Sequence, residues 1–397
     1  MAKQYDFNNG ALLTAYVADV SYFSGKLEAY LRYKEIPYKR RPANVNTMLN
    51  EVYANTGMMK MPAVRLHDGK WLKDTTPMLQ WFDQQKSAYS IYPEDPVTNF
   101  IALLIEDYAD EWCWRSALYW RWCFPETRAL LGNRIGQEIL GDWPIPNRLA
   151  GWYIGERQIR TYLKGDGLTK KTEPFVKNHY LEMLESMQGI LSDSPYLLGA
   201  KPSIADFGLF GPMFRHFGLD PAPAKVMIEK APAVYEWLAR LWNERGSAID
   251  DGHSFNDFGH PGWQYFFNEI IDVYVPFLKA NANAWANGHK RFDLVTPAVT
   301  YPKLRMVHYR VYCLEMLQQR FNALSVGDKE KVRAIFSQAG TQKKGVFDLG
   351  ADIQSGLSQE FAFPINPTTR RIGTLEKFVL TATGTPWDMP AWLKRKA

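Results

Sequence analysis

Two short stretches of this 397-residue chain carry side chains whose type and spacing could do chemistry. The first is Met61-Pro62-Ala63-Val64-Arg65-Leu66, which reads as a strand entered through a proline. Proline at the head of a paired strand costs a ladder hydrogen bond. If the Met61-Pro62 bond is cis, the Met61 backbone turns outward, and an extended peptide can pair with it as an added strand. A trans proline on an edge strand is the ordinary alternative. The second stretch is Asp74-Thr75-Thr76-Pro77, which opens a helix with capping side chains ahead of a proline suited to a first turn. A helix start offers N–H groups to a carboxylate, and Asp74 can pair with an ammonium. Without the preceding strand, Asp74 and Thr75 would read as caps alone.

The elements that must position these residues follow from the pattern. Residues 12–17 form a first strand, residues 18–23 a loop, and Ser24 caps a helix over 25–34. That helix spaces Leu27, Tyr30 and Leu31 at i, i+3 and i+4, which gives it a buried face. Ile36-Pro37 ends it and residues 38–41 form a second strand. Residues 44–57 read as a short irregular helix and loop. After the proline-led strand, His67-Asp68-Gly69-Lys70 is a turn, because Asp-Gly tolerates the positive φ of a tight hairpin. Trp71-Leu72 pairs back, and Met78, Leu79, Trp81 and Phe82 fill the helix that ends near Gln85.

Strand, hairpin and capped helix in this order resemble the glutathione-binding half of the glutathione S-transferases. The string M-P-A-V-x-L, a turn, then L-x-D-T carries the resemblance, and it implies a thioredoxin-like fold. In that family the residue before the cis proline pairs with the cysteinyl backbone of glutathione, and an acid-plus-hydroxyl pair grips the γ-glutamyl group. The resemblance thus implies Met61 (with Pro62), Asp74 and Thr75 in those roles. Commoner members carry Glu-Ser or Gln-Ser, so Asp-Thr is a shorter, bulkier variant. Lys60 is placed to meet the glycyl carboxylate; a solvated lysine is the plainer reading. Ser21-Tyr22-Phe23-Ser24-Gly25-Lys26-Leu27 resembles the S-x-x-S-x-[KR]-[VL] start of the serine-type classes. That implies the thiol-activating hydroxyl on Ser21 and the helix cap on Ser24. Tyr22 is the second choice, from the tyrosine-type start Y-F-N-G-R, and Tyr16 the third.

The rest of the chain reads as helical from about residue 97 to 245, after a linker over 87–97 with Pro93 and Pro96. Ile101, Ile105, Tyr108 and Trp112 share one face, and Tyr108, Trp112 and Arg115 are candidate lining residues of an acceptor pocket; such a stripe is more often core. Pro144 and Pro146 break the chain, and helices resume over 152–164 and 172–191. Ser203 and Asp206 make an S-x-x-D capping box. It resembles the buried helix cap of the transferase helical domain, which implies a part in folding and none in chemistry. The resemblance covers residues 10–245. Beyond it, Trp263, Phe266, Phe267, Ile270, Ile271 and Tyr274 form an amphipathic helix, expected as a lid over the acceptor pocket. A short strand over 292–295 and helices over 306–323 and 328–337 follow, with mostly loop over 340–370.

Bulk properties narrow the classes. Hydrophobic content of 46% with 22% charge is that of a soluble globular protein, and 14 tryptophans point to aromatic-lined cores or pockets. A net charge of +5 suits anionic small ligands and falls short of a nucleic-acid signature. Three cysteines, Cys113, Cys123 and Cys313, give neither a disulfide framework nor metal spacing. The start MAKQYDFNNG has no apolar stretch for a signal peptide, and no apolar run reaches membrane-spanning length. A cytoplasmic protein is expected. His253, Asp257 and His260 read as loop residues, so no metal is expected. Gly340-Thr341-Gln342-Lys343-Lys344-Gly345 lacks the phosphate-loop spacing, and Lys394-Arg395-Lys396 reads as a solvated end.

The expected architecture is an α/β thioredoxin-like domain over 1–88, an all-α acceptor-site domain over 97–250, and a mostly helical extension over 251–397. The resemblance implies a homodimeric, detoxification-type enzyme that uses glutathione as co-substrate. Its thiolate would attack a hydrophobic, aromatic electrophile, by conjugation or by reductive cleavage of an ether or halide. The alternative is a non-catalytic scaffold or ligand-binding protein of the same fold. A glutathione-dependent disulfide reductase needs a cysteine near Ser21, and none precedes Cys113.

Overall fold

A computed structural model describes residues 7, 12–141, 145–249, 252–340, 347–357, 365–367 and 373. The expected break at Pro144, parts of the expected loop over 340–370, most of the Gly340–Gly345 stretch and the Lys394–Lys396 tail lie outside the described residues. The chain forms two compact units: Met1–Ala88 with Leu130–Ile154 and Phe361–Ala397, and Tyr89–Ala129 with Gly155–Glu360.

The first unit is built on a four-stranded sheet in the order β2-β1-β3-β4, with β1 Leu13–Val17, β2 Tyr38–Pro42, β3 Ala63–Arg65 and β4 Trp71–Lys73. β1 and β2 run parallel, which requires a crossover, and the helix Tyr22–Tyr33 supplies it. β3 runs antiparallel to both β1 and β4. The β3–β4 hairpin turns at Asp68-Gly69, where Gly69 takes φ +88°. This mixed sheet with its crossover helix and the following helix Thr75–Gln85 is a thioredoxin-like arrangement. Ala15, Leu27, Leu31, Val64, Leu72, Met78, Leu79 and Phe82 are fully buried between sheet and helices.

One buried ion pair ties the helices together. Lys34, at the end of Tyr22–Tyr33, donates to Asp83 of Thr75–Gln85 at 2.8 Å and to the Ala88 carbonyl at 2.6 Å. Burial pulls the Lys34 ammonium below its usual range, and Asp83 partly restores it. The first helix starts earlier than the sequence pattern indicates. Its N-cap is Ser21, not Ser24: the Ser21 oxygen accepts the Ser24 N–H at 3.3 Å, while the buried Ser24 hydroxyl accepts from Ala18 N–H at 3.2 Å.

The second unit is helical. The helix Pro96–Glu111, capped by Asp95 accepting from the Thr98 N–H at 2.7 Å, is buried along nearly its whole length. It lies against Ile204–Pro212, and a Cβ on Gly208 would come within 2.7 Å of the Glu106 Cα, so the contact needs glycine. The Ser203–Asp206 capping box is formed. Asp206 accepts from Ser203 N–H (2.8 Å), Leu197 N–H (2.9 Å) and the Trp237 indole (3.1 Å) at once.

Residues 252–340 build onto the same helices. The segment from Trp263 to Ala286 is one continuous helix with a widened turn at Ile270–Tyr274. It is buried framework: the Tyr274 hydroxyl donates to the Asp107 carboxylate, and Trp263, Phe266 and Phe267 are buried. A hairpin follows, β5 Arg291–Val295 and β6 Thr300–Arg305, then helices His308–Asn322 and Val326–Phe336. Phe321, Phe336 and Phe347 close an aromatic cluster with Phe100, at 5.4 Å between the Phe100 and Phe321 rings. No described helix is long and apolar enough to cross a membrane.

Candidate active site

The register of the first sheet gathers three of the sequence-flagged segments. Ala63 stands opposite Tyr16 of β1 and opposite Lys73 of β4. The chain leaving β1 toward Ser21, the chain entering β3 through Met61-Pro62, and the chain leaving β4 into Asp74-Thr75 therefore meet at one end of the sheet. Met61-Pro62 is cis. Met61 is half-buried and lies just beyond the last paired residue of β3. Its backbone makes no hydrogen bond to the described residues. Pro62 is buried, and Lys60 is exposed next to it.

Ser21 is half-buried at the start of the first helix. Capping uses an oxygen lone pair, which leaves the hydroxyl hydrogen available to donate outward. The loop beneath is anchored by Asp19, whose N–H donates to Glu138 and whose carboxylate pairs with Arg40. Tyr22 is the first helical residue, 5% exposed, its ring 4.8 Å from that of Phe23. Tyr16 is fully buried in β1, and its hydroxyl donates to Glu51 at 2.7 Å. Burial, with the Glu51 carboxylate beside it, pushes the Tyr16 phenol far up, so it is a poor thiol activator.

Asp74 departs from the expected cap. It occupies the N-cap position of Thr75–Gln85 but makes no side-chain bond to the first turn. Its backbone sits at φ +74°, ψ 120°, a region costly to a residue with a Cβ. Thr75 is buried as the first helical residue, and its own N–H heads the row of first-turn donors that have no intrahelical acceptor.

The other flagged residues lie in the second unit. Trp112 and Arg115 line a cavity of about 160 Å³, together with Ser116, His179, Tyr265, Glu269 and Tyr301. Tyr108 stands behind that wall, its hydroxyl 2.7 Å from His179 Nε2. The Arg115 guanidinium lies 4.1 Å over the Trp112 ring, and its Nη2 is 3.3 Å from Asp166 Oδ2. Arg310 joins the cluster at 2.9 Å from Asp166 and 3.2 Å from Glu111. Burial pulls Arg115 down to about 10, still a cation at neutral pH. His179, Asp166, Glu269 and Arg310 escaped the sequence reading, because no local spacing links residues up to 199 positions apart. All three cysteines lie in this unit, and burial pushes Cys113 well up. Among the described residues no three His, Cys, Asp or Glu side chains gather to hold a metal ion. His260 Nε2 instead faces Asp193 at 3.2 Å.

A family model described as glutathione S-transferase, N-terminal domain, matches residues 16–90, and one described as glutathione S-transferase, C-terminal domain, matches residues 169–244. No curated protein matches the sequence. Among solved structures, the chain is similar to the beta-etherase LigF from Sphingobium sp. strain SYK-6, at 20% identity over 58% of this chain and 95% of that one, with a TM-score of 0.41. It is also similar to a glutathione S-transferase from Pseudomonas fluorescens Pf-5, at 18% identity over 58% and 94%, TM-score 0.36. A third is a glutathione transferase homolog from Drosophila mojavensis with bound glutathione, at 16% identity over 58% and 86%, TM-score 0.37.

Proposed function

The chain belongs to the glutathione S-transferase superfamily, and from that premise we propose that its first unit binds glutathione and activates the thiol for attack on a hydrophobic, aromatic electrophile. The observation that carries this reading is the convergence of Ser21, the unbonded Met61 backbone and the strained Asp74 at one sheet end. An extended tripeptide pairs its cysteinyl N–H and C=O with Met61 as an added strand. The γ-glutamyl carboxylate lies at the start of Thr75–Gln85, near the Thr75 N–H and hydroxyl, and its ammonium pairs with Asp74. Lys60 meets the glycyl carboxylate.

The thiol then lies beside Ser21. A free thiol has a pKa near ~8.5, so under about a tenth is thiolate at neutral pH. A hydroxyl donating to sulfur at a helix N-terminus lowers that by roughly two units, worth about 2.7 kcal/mol. The Ser24 N–H donating to the Ser21 oxygen polarises the hydroxyl and strengthens its outward bond. The thiol proton passes to solvent. The thiolate forms a C–S bond to the electrophilic carbon, and the electron pair of the broken C–O or C–halogen bond leaves with the phenolate or halide. Tyr22 is the second candidate for the same role. A homodimer working in a cytoplasm goes with the reading.

The competing reading is a scaffold of the same fold, which would neither bind glutathione nor react. Calorimetric titration with glutathione, followed by product analysis with an activated aryl halide and an aryl ether, separates the two. Saturable binding and thioether formation support the enzyme, and their joint absence leaves the scaffold.

A further inference from the structure

The turn that carries Ser21 is held by a stretch of chain that neither family model matches. Residues 18–21 close this turn, with the Ser21 N–H donating to the Ala18 carbonyl at 3.1 Å. Such a turn uses the N–H of its last residue and leaves that of its second, here Asp19, to an outside acceptor. Glu138 is that acceptor, 119 positions along the chain. It stands half-buried on the helix Pro125–Leu140, which packs against the helix Asn147–Gln158. Both helices fall between the matched residues 16–90 and 169–244.

The support behind Glu138 is stiff. A Cβ on Gly136 would come within 2.8 Å of the Asn147 carbonyl oxygen and 2.9 Å of the Gly151 nitrogen, so the two backbones touch two residues before Glu138. A carboxylate on such a support keeps its place. The turn's other holds come from the sheet and the first helix. The Ala18 N–H donates to Ser24 Oγ at 3.2 Å. The Asp19 carboxylate pairs with Arg40 of β2, whose Nε lies 2.7 Å from Glu28 of the first helix. Glu138 adds a hold from outside the thioredoxin-like sheet and its helices.

On the glutathione reading, on which this inference rests, we propose that Glu138 is a positioning residue for thiol activation. Through the Asp19 N–H it fixes the turn, and the turn keeps the Ser21 hydroxyl aimed at the sulfur. A hydroxyl that swings away donates for only part of the time, and the thiolate loses that share of its stabilisation.

Two variants separate positioning from charge. Glu138→Gln removes the charge but keeps a carbonyl oxygen for the Asp19 N–H, while Glu138→Ala removes both. Losing a nearby negative charge by itself favours the thiolate, so a rise in the thiol value reports lost positioning. Ultraviolet titration of bound glutathione is expected to place the thiol in Glu138→Ala at least about half a unit above wild type, and in Glu138→Gln at or below wild type. Turnover of an activated aryl halide by Glu138→Ala is expected to fall about threefold at pH 6 and to hold at pH 9. Its glutathione affinity is expected to stay within about twofold of wild type, because Met61, Asp74 and Thr75 are untouched. Alanine suits a helix, so this variant is expected to fold. Amide hydrogen exchange at Asp19 reads the contact in the wild type itself, where protection is expected. A thiol value unmoved in Glu138→Ala, an equal rise in Glu138→Gln, or an unprotected Asp19 amide in the wild type overturns the proposal and leaves the glutathione reading standing. A wild-type bound thiol at its free value overturns both.

Discussion

Lys73 stands opposite Ala63 in the β3–β4 ladder, so the residue that follows Lys73 is delivered to the side of the Met61-Pro62 bond. That residue is Asp74, held at a φ of +74° and making no side-chain bond to the first turn of the helix it precedes. A backbone held in that region without capping its own helix is the geometry that motivates the ligand role proposed for Asp74.

On the proposed reading, Asp74 trades stability for binding. Asp74→Asn is expected to weaken glutathione binding on the order of 1.5–3 kcal/mol, the worth of a charge-assisted hydrogen bond, with an unchanged melting temperature. Asp74→Gly is expected to weaken binding equally but to stabilise the fold by up to about 1 kcal/mol, since glycine tolerates the conformation. Calorimetry and denaturant melts check both. Unchanged glutathione affinity in both variants would remove Asp74 from the site.

The Asp206 carboxylate is the structural counterpart, with no expected part in chemistry. Ser203→Ala removes one cap and is expected to cost about 1 kcal/mol. Asp206→Ala orphans the Leu197 and Ser203 N–H groups and the Trp237 indole together, and is expected to cost on the order of 3–5 kcal/mol. Urea midpoints distinguish them. Equal costs would mean that Asp206 does not knit the turn to the helix.

These two sites show what was legible in the chain. Met-Pro before a strand, Asp-Gly in a turn and Ser-x-x-Asp at a helix start each encode geometry within four residues, so local reading suffices. The first helix starts three residues before the residue-25 start that the pattern indicates, because Tyr22 and Phe23 look like loop aromatics while Tyr22 is buried against the core. β6 has no strand signature in the sequence, since Pro302 stands inside it and Lys303 takes φ +54°, both foreign to a regular strand. The Arg115–Asp166–Arg310 cluster was invisible for another reason. Its members come from separate segments, and nothing short of the fold brings them together.

Burial also sets a pH dependence. Burial, with Glu106 and Glu111 nearby, raises Asp107 from 3.8 to about 7 despite the Tyr274 hydrogen bond. Burial, with Glu182 nearby, raises Glu269 from 4.5 to about 8, although the Trp112 indole favours its ionised form. Each folded carboxyl keeps a proton that the unfolded chain has released. Their contribution is therefore full below the unfolded values and is lost as pH rises through the folded ones, by at most about 1.4 kcal/mol per pH unit per group. Glu269→Gln is expected to flatten the fall in melting temperature up to about pH 8. Parallel curves for wild type and variant would show that Glu269 does not hold its proton.

The most direct test of the account is the ionisation of bound glutathione. Titrating thiolate absorbance in the ultraviolet against pH, at saturating protein, is expected to place the bound thiol roughly two units below its free value. Ser21→Ala is expected to return it most of the way while binding persists, and Tyr22→Phe to leave it low. A bound thiol with its free value, or one still depressed in Ser21→Ala, would contradict the assignment of the activating hydroxyl to Ser21.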